Sequence, residues 1–159
     1  MKRIIGAVTF MIFLLGCSND FIELSSVKDF LRKDPDAADA VSAVRAYNKA
    51  LVSAYRQNDP APLRDFATDR EFNKVSHLIE DILSQSLIME AELERMRIEK
   101  VERWGPDNVV VTTKENWRYR RINVKTKEEA KPLTSIEYHM RYNMVREKGL
   151  WKVFDLSPV

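Results

Sequence analysis

The chain has 159 residues, 45% of them hydrophobic and 31% charged, which is enough for one domain with its own core and excludes a disordered or low-complexity polypeptide. Its formal charge is +2, but Lys2 and Arg3 precede Cys17 with no acid beside them, and without those two the 26 basic residues fall to 24, against 24 acidic ones. A chain beginning at Cys17 is therefore neutral, and its overall charge gives no reason to expect nucleic acid or acidic lipid as a partner.

Met1-Lys2-Arg3 is a basic start, residues 4–15 are almost wholly apolar, and the chain turns polar at Ser18-Asn19-Asp20. A positive region, an apolar run of about twelve residues and a small residue before the break describe an export signal. The run is shorter than the roughly 20 residues that span a bilayer. Leu14-Leu15-Gly16-Cys17 resembles the bacterial lipobox, in which a small residue precedes an acylated cysteine. That resemblance implies cleavage after Gly16, diacylglycerol on Cys17 and N-acylation of the new terminus. Palmitate-like chains, at ~0.8 kcal/mol per buried methylene, would make the membrane a permanent partner. A plain secretory signal is the weaker reading, because the sole cysteine falls where the lipobox needs it and no A-x-A site lies nearby. The expected location is the bacterial cell envelope. Serine rather than aspartate after Cys17 points to the periplasmic face of the outer membrane in a Gram-negative host.

The resulting division is a signal peptide over residues 1–16, a lipidated tether over 17–33 and an α+β domain over 34–159. Within the tether, Leu24, Val27, Phe30 and Leu31 share helical spacing and predict a short amphipathic turn, packed on the domain in preference to lying at the lipid surface. Asp34-Pro35 is a helix start, with aspartate as cap and proline at the first position. Val41, Val44, Tyr47, Asn48, Leu51, Val52 and Tyr55 then line one side of a helix to about Arg56. Asn58-Asp59-Pro60 ends it and begins a short helix through Pro62, Leu63 and Phe66. A longer helix is predicted from about Asp69 to Leu93, with Phe72, Val75, Leu78, Ile79, Ile82, Leu83, Leu87 or Ile88, and Ala91 as its apolar stripe. His77 lies beside that stripe, as a surface or boundary residue.

Residues 97–104 read as a first strand and Gly105-Pro106-Asp107-Asn108 as a turn. Residues 109–119, 135–146 and 151–156 read as three further strands, rich in strand formers and alternating side chain by side chain. Residues 123–131, polar and lysine-rich, form the loop between the second and third of these four strands. One face holds Val109, Val111, Thr113, Glu115, Trp117 and Tyr119 with Ile136, Tyr138, Met140, Tyr142 and Met144, and Trp151 and Val153. An antiparallel sheet with such a face needs cover, and the helices supply it. The fold class is therefore α+β: N-terminal helices on a curved antiparallel sheet of about four strands.

Helices followed by a curved sheet resemble the cystatin-like cone of the nuclear transport factor 2-like superfamily. Within it, residues 63–159 are most similar to the intermembrane-space domain of the plastid division proteins. The similarity is carried by residues 63–68, 109–117 and 138–145, and by the ending Gly149-Leu150-Trp151-Lys152-Val153. It implies a protein-interaction module. The superfold itself also hosts isomerases, dehydratases and non-enzymatic binding domains.

Catalytic motifs are absent: there is no Gly-rich phosphate loop, no G-x-S-x-G and no H-E-x-x-H. One cysteine excludes an internal disulfide, and the two histidines and Cys17 match no metal-ligand spacing. No cofactor or metal is expected. Glu115 is the ionisable residue of interest, because its phase puts it toward the helices, where a carboxylate loses water and a general base can arise. The structural reading bonds it to Tyr138 or Tyr142, or pairs it with an arginine, and it is the favoured one. His139 alternates onto the opposite face with Glu137, Arg141 and Asn143, and so supplies no second acid or base. The candidate pocket is Glu115, Trp117, Tyr138 and Tyr142. The mixed run Trp117-Arg118-Tyr119-Arg120-Arg121 reads as a solvated hairpin end rather than a nucleic-acid patch. Val110, Val145, Leu150, Phe154 and Leu156 form the other apolar row, a candidate face for a protein partner or a homodimer. The reading that follows is a lipid-anchored, non-catalytic interaction module of the envelope. The alternative is a small-molecule carrier or enzyme that uses the cone pocket with Glu115 as acid or base.

Overall fold

The computed structural model describes residues 21–159; the leader and Cys17 lie outside them. A short strand β1 (Phe21–Glu23) is followed by helix α1 (Ser25–Lys33), helix α2 (Pro35–Gln57), a 3-10 turn (Ala61–Leu63) and helix α3 (Asp69–Ser84). Four strands complete the chain: β2 (Leu87–Arg103), β3 (Asn108–Asn123), β4 (Glu129–Glu147) and β5 (Leu150–Pro158). The sheet order follows the chain, β1-β2-β3-β4-β5. β2 to β5 are antiparallel neighbours, and β1 lies parallel to β2 with Phe21 opposite Met96. This is the α+β cone expected, helices on a curved antiparallel sheet of four long strands, with β1 added at one edge.

Local chemistry explains the helical half. Asp34 caps α2 by accepting from the Ala37 amide at 3.0 Å, and Asn58 ends it in the left-handed conformation, φ 52°. Arg103 grips the same Asp34 with two nitrogens, at 2.8 and 2.9 Å, so the start of α2 is tied to the far end of β2. The predicted stripe of α2 is buried except at Val52, which is half-buried at its border; Val41, Val44, Tyr47, Asn48, Leu51 and Tyr55 are each under a tenth exposed. The stretch read as tether joins the fold from Phe21 onward: β1 pairs with β2, and Val27 of α1 is buried in the core.

Two expectations need correction. The helix from Asp69 does not reach Leu93. It stops at Ser84, Ser86 turns the backbone at φ 57°, and β2 begins at Leu87 rather than near Arg97. The cause is visible in the register, which slips between Leu93 and Arg95 and again between Ile98 and Lys100. Each bulge switches which side chains face the core. Met89 and Ala91 are buried before the first slip and Met96 and Ile98 after it. The buried set Val75, Ile79, Ile82, Met89 and Met96 consequently keeps helical spacing across a helix, a turn and a bulged strand. Leu78 and Leu83, placed on the stripe, are instead exposed.

The second correction is in β5. Asn143 pairs with Asp155 but Met144 pairs with Val153, leaving Phe154 as the extra residue of a bulge. Trp151 and Val153 face the core as expected. Beyond the bulge the phase is shifted, so Leu156 stands opposite Tyr142 and packs against the core instead of joining the outer apolar row. The outer edge of β5 is partly covered, since Val153 exchanges backbone bonds with Phe66 and Thr68.

Candidate functional site

The cone interior is a closed polar network. Glu115 is 1% exposed. Its Oε1 accepts from Thr113 Oγ1 at 2.7 Å and from the Tyr142 hydroxyl at 2.6 Å, and its Oε2 accepts from Trp117 Nε1 at 2.7 Å. Asn48 of α2 donates through Nδ2 to the Tyr142 oxygen at 2.9 Å. The odd positions of β3 and even positions of β4 bring these groups onto one face, as their phase predicts, and Tyr142 rather than Tyr138 is the bonded tyrosine. Burial pushes the Tyr142 hydroxyl far above its ordinary value, with the neighbouring Glu115 adding to the shift. Tyr142 therefore stays a proton donor at every physiological pH.

A second buried carboxylate continues the network. Glu71, 1% exposed at the start of α3, accepts from the Tyr47 hydroxyl at 2.8 Å, and Lys74 approaches its other oxygen at 3.3 Å. The Tyr47 ring meets the Tyr142 ring edge-on at 6.2 Å. Burial raises the Glu71 carboxyl above its ordinary value, opposed by the Tyr47 hydrogen bond and Lys74.

The mouth of the cone is different. Trp117 and Tyr119 stack at 5.8 Å, and Tyr119 meets Tyr138 edge-on at 6.4 Å. Beyond this aromatic ladder opens a cavity of about 390 Å³. Tyr55, Tyr119, Tyr138, Leu78, Ile82, Met89 and Ile136 line it, and Arg120, Arg121 and Lys131 stand among its polar groups. Of the four candidate pocket residues, Tyr138 alone lines this cavity. Glu115, Trp117 and Tyr142 are sealed in the interior. His139 lies on the opposite face, 3.4 Å from Glu99. Among the described residues no cluster of side chains could hold a metal ion.

On the outer face Val110, Val145 and Phe154 gather with Trp104, Arg70 and Asp155 around a depression of about 540 Å³. Leu150 is 58% exposed but stands apart from it. Trp104, 69% exposed, was hidden in the sequence because it reads as the last residue of a strand.

No family profile matches the chain, and none of the curated proteins does. Solved structures do. The intermembrane space region of chloroplast protein ARC6 superposes with a TM-score of 0.68 at 15% identity, over 77% of this chain and 95% of that one. A periplasmic fragment of TraM superposes with a TM-score of 0.52 at 13% identity, over 72% of this chain and 93% of that one. The likeness is one of fold.

One more feature lies outside the cone. β1 pairs only with Met96 to Ile98, so the first half of β2 has no neighbour on that side among the described residues. A groove of about 660 Å³ straddles this free edge, between Arg45, Lys49, Val52 and Arg56 of α2 and the segment Glu90 to Leu93 of β2, with Arg118 and Arg120 beyond. Glu92 pairs with Arg118 and Glu90 with Arg120, while Lys49 and Arg56 are exposed on α2. Their spacing of Arg45, Lys49, Val52 and Arg56 was readable as a second stripe of α2, but its partner, the strand edge, was concealed by the bulges.

Proposed function

We propose that this chain is a lipid-anchored, non-catalytic binding module of the bacterial envelope, and that it engages its partner at the mouth of the cone. The saturation of Glu115 carries the reading. Its oxygens hold three donors, and it does not reach the open cavity. A general base must come within hydrogen-bond reach of its substrate. The mouth has what the interior lacks: an open aromatic and apolar floor with cations beside it, the composition of a recognition site. It suits an apolar protein segment carrying acidic groups. The fold similarity to an intermembrane space region and a periplasmic fragment supports an envelope location, as does the lipobox-like ending at Cys17. Cys17→Ser would leave an unprocessed precursor that takes up no radiolabelled palmitate; equal labelling of mutant and wild type would contradict the anchor.

A small-molecule carrier is the second reading, favoured by a cavity above the roughly 300 Å³ that such sites occupy. A photo-crosslinking amino acid at position 138 of the full-length protein, activated in its own cells, separates the readings. One discrete protein adduct is expected there. Adducts at position 154 alone would move the partner to the outer depression. No protein adduct, together with a bound small amphiphile in native mass spectrometry, would establish the carrier.

A further inference from the structure

Accepting the acylation of Cys17, we propose that the basic groove between α2 and the free edge of β2 rests on the anionic phospholipid surface that holds the anchor. Three observations converge on it. First, the leash is short. β1 is already hydrogen-bonded to β2 at Phe21, four residues after Cys17 in the sequence. Four residue steps reach at most roughly 14 Å, whereas a tether extending to residue 33 would have let the domain move freely.

Second, the leash has a direction. β1 runs parallel to β2, with Phe21 opposite Met96 and Glu23 opposite Ile98, so its N-terminal end points toward the Leu87 end of β2. Asn48 of α2 lies 3.8 Å from Met96 Sδ, which places the middle of α2 beside the start of β1. Arg103, at the end of β2, holds the start of α2, and Met89, near the beginning of β2, shares the mouth cavity with Tyr55, near the end of α2. The basic row from Arg45 to Arg56 therefore runs alongside β2 toward its Leu87 end, the way the N-terminal end of β1 points. The chain leaves the domain on the side of this groove, and the anchor holds that side to the bilayer.

Third, the charge fits. The two groove carboxylates, Glu90 and Glu92, are each bound to an arginine of β3. Lys49 and Arg56 add exposed positive charge although the chain after Gly16 is neutral overall. Cations held within a Debye length, roughly 8 Å, of an anionic leaflet are attracted to it. The opposite sheet edge, β5, lies three strand spacings from β2, roughly 14 Å, and the Lys148-Gly149 turn that leads into it is exposed.

The acylated full-length protein tests this once reconstituted into vesicles of phosphatidylethanolamine and phosphatidylglycerol. Because Cys17 is the only cysteine and acylation consumes its thiol, Ser53→Cys on α2 or Lys148→Cys in the β4–β5 turn provides a unique labelling position. A fluorophore at position 53 is expected to be quenched severalfold more by headgroup spin-labelled lipid than one at position 148. Adding Lys49→Glu and Arg56→Glu, or replacing phosphatidylglycerol with phosphatidylcholine, should remove most of that excess. Equal quenching at the two positions, or stronger quenching at 148, overturns the orientation. An excess indifferent to both the charge reversals and the lipid overturns the anionic contact. A protein that does not float with the vesicles and keeps a reactive Cys17 thiol overturns the anchor, and the inference with it.

Discussion

Inside the cone, Glu115, Thr113, Trp117, Tyr142 and Asn48 spend their polar atoms on one another. At the mouth, Tyr55, Tyr119 and Tyr138 line open space beside Arg120, Arg121 and Lys131. The two regions share β3 and β4 and the same alternation, and a few residues along each strand change the outcome. Buried polar groups are costly unless satisfied, and once satisfied they fix one arrangement. A carboxylate in a cone is thus no sign of chemistry. What distinguishes a structural network from a site is whether it leaves donors, acceptors or apolar surface for something else to meet.

Breaking the interior should cost stability, and the largest loss is expected where the closing strand seals it. Trp151 is 7% exposed in the core, with the Arg146 guanidinium 4.7 Å over its ring. Trp151→Ala should destabilise by ~3–5 kcal/mol in denaturant unfolding; a loss under ~0.5 kcal/mol would mean a surface position. Glu115→Leu comes next, at ~2–3 kcal/mol. Tyr142 can turn its proton toward Asn48 Oδ1, 3.2 Å away, but Trp117 Nε1 donates to Glu115 alone among the described residues. Glu115→Gln keeps an acceptor and should cost less than half as much in the same measurement.

The mouth should behave in the opposite way. Tyr138→Ala removes a half-buried ring and should cost under ~1.5 kcal/mol of stability while weakening partner capture at least tenfold, as loss of an aromatic anchor does. A large stability loss with capture unchanged would make the mouth another part of the core.

Acid titration sharpens the contrast within the structural half. Glu71 has its folded value raised, chiefly by burial, so it binds its proton more tightly folded than unfolded. Its contribution is fully present below the unfolded value and is lost as pH rises through the folded one. Asp34 has its folded value lowered, chiefly by Arg103. Its contribution is present above the unfolded value and is lost as pH falls through the folded one. Melting curves from pH 7 to pH 3 should show Glu71→Gln losing ground to wild type as pH falls. Asp34→Asn, less stable at pH 7, should close its gap to wild type over the same range. Parallel curves for either variant would contradict the assigned environment.

Much of this was legible in the residues. Asp34-Pro35 and Asn58 bounded α2, and strict alternation placed Glu115 and Tyr142 on one face with His139 on the other. The first half of β2 was not legible, because two bulges gave a strand the apolar spacing of a helix. Leu156 was misplaced by the bulge at Phe154. Asn48 showed only as an amide in an apolar stripe, and Glu71 looked like an ordinary first-turn acid. Its burial comes from Tyr47, 24 residues earlier, a contact that exists only once α2 and α3 are packed together.

The most direct test of the division sets one variant from each region side by side. Melting temperature and partner capture are measured for wild type, Glu115→Gln and Tyr138→Ala, each full length and acylated. Glu115→Gln is expected to capture the partner like wild type, whereas Tyr138→Ala, folded and nearly as stable, is expected not to. A Glu115→Gln protein that folds normally yet loses capture, or loses a ligand-dependent rise in melting temperature shown by wild type, would contradict that division and make the interior of the cone the functional pocket.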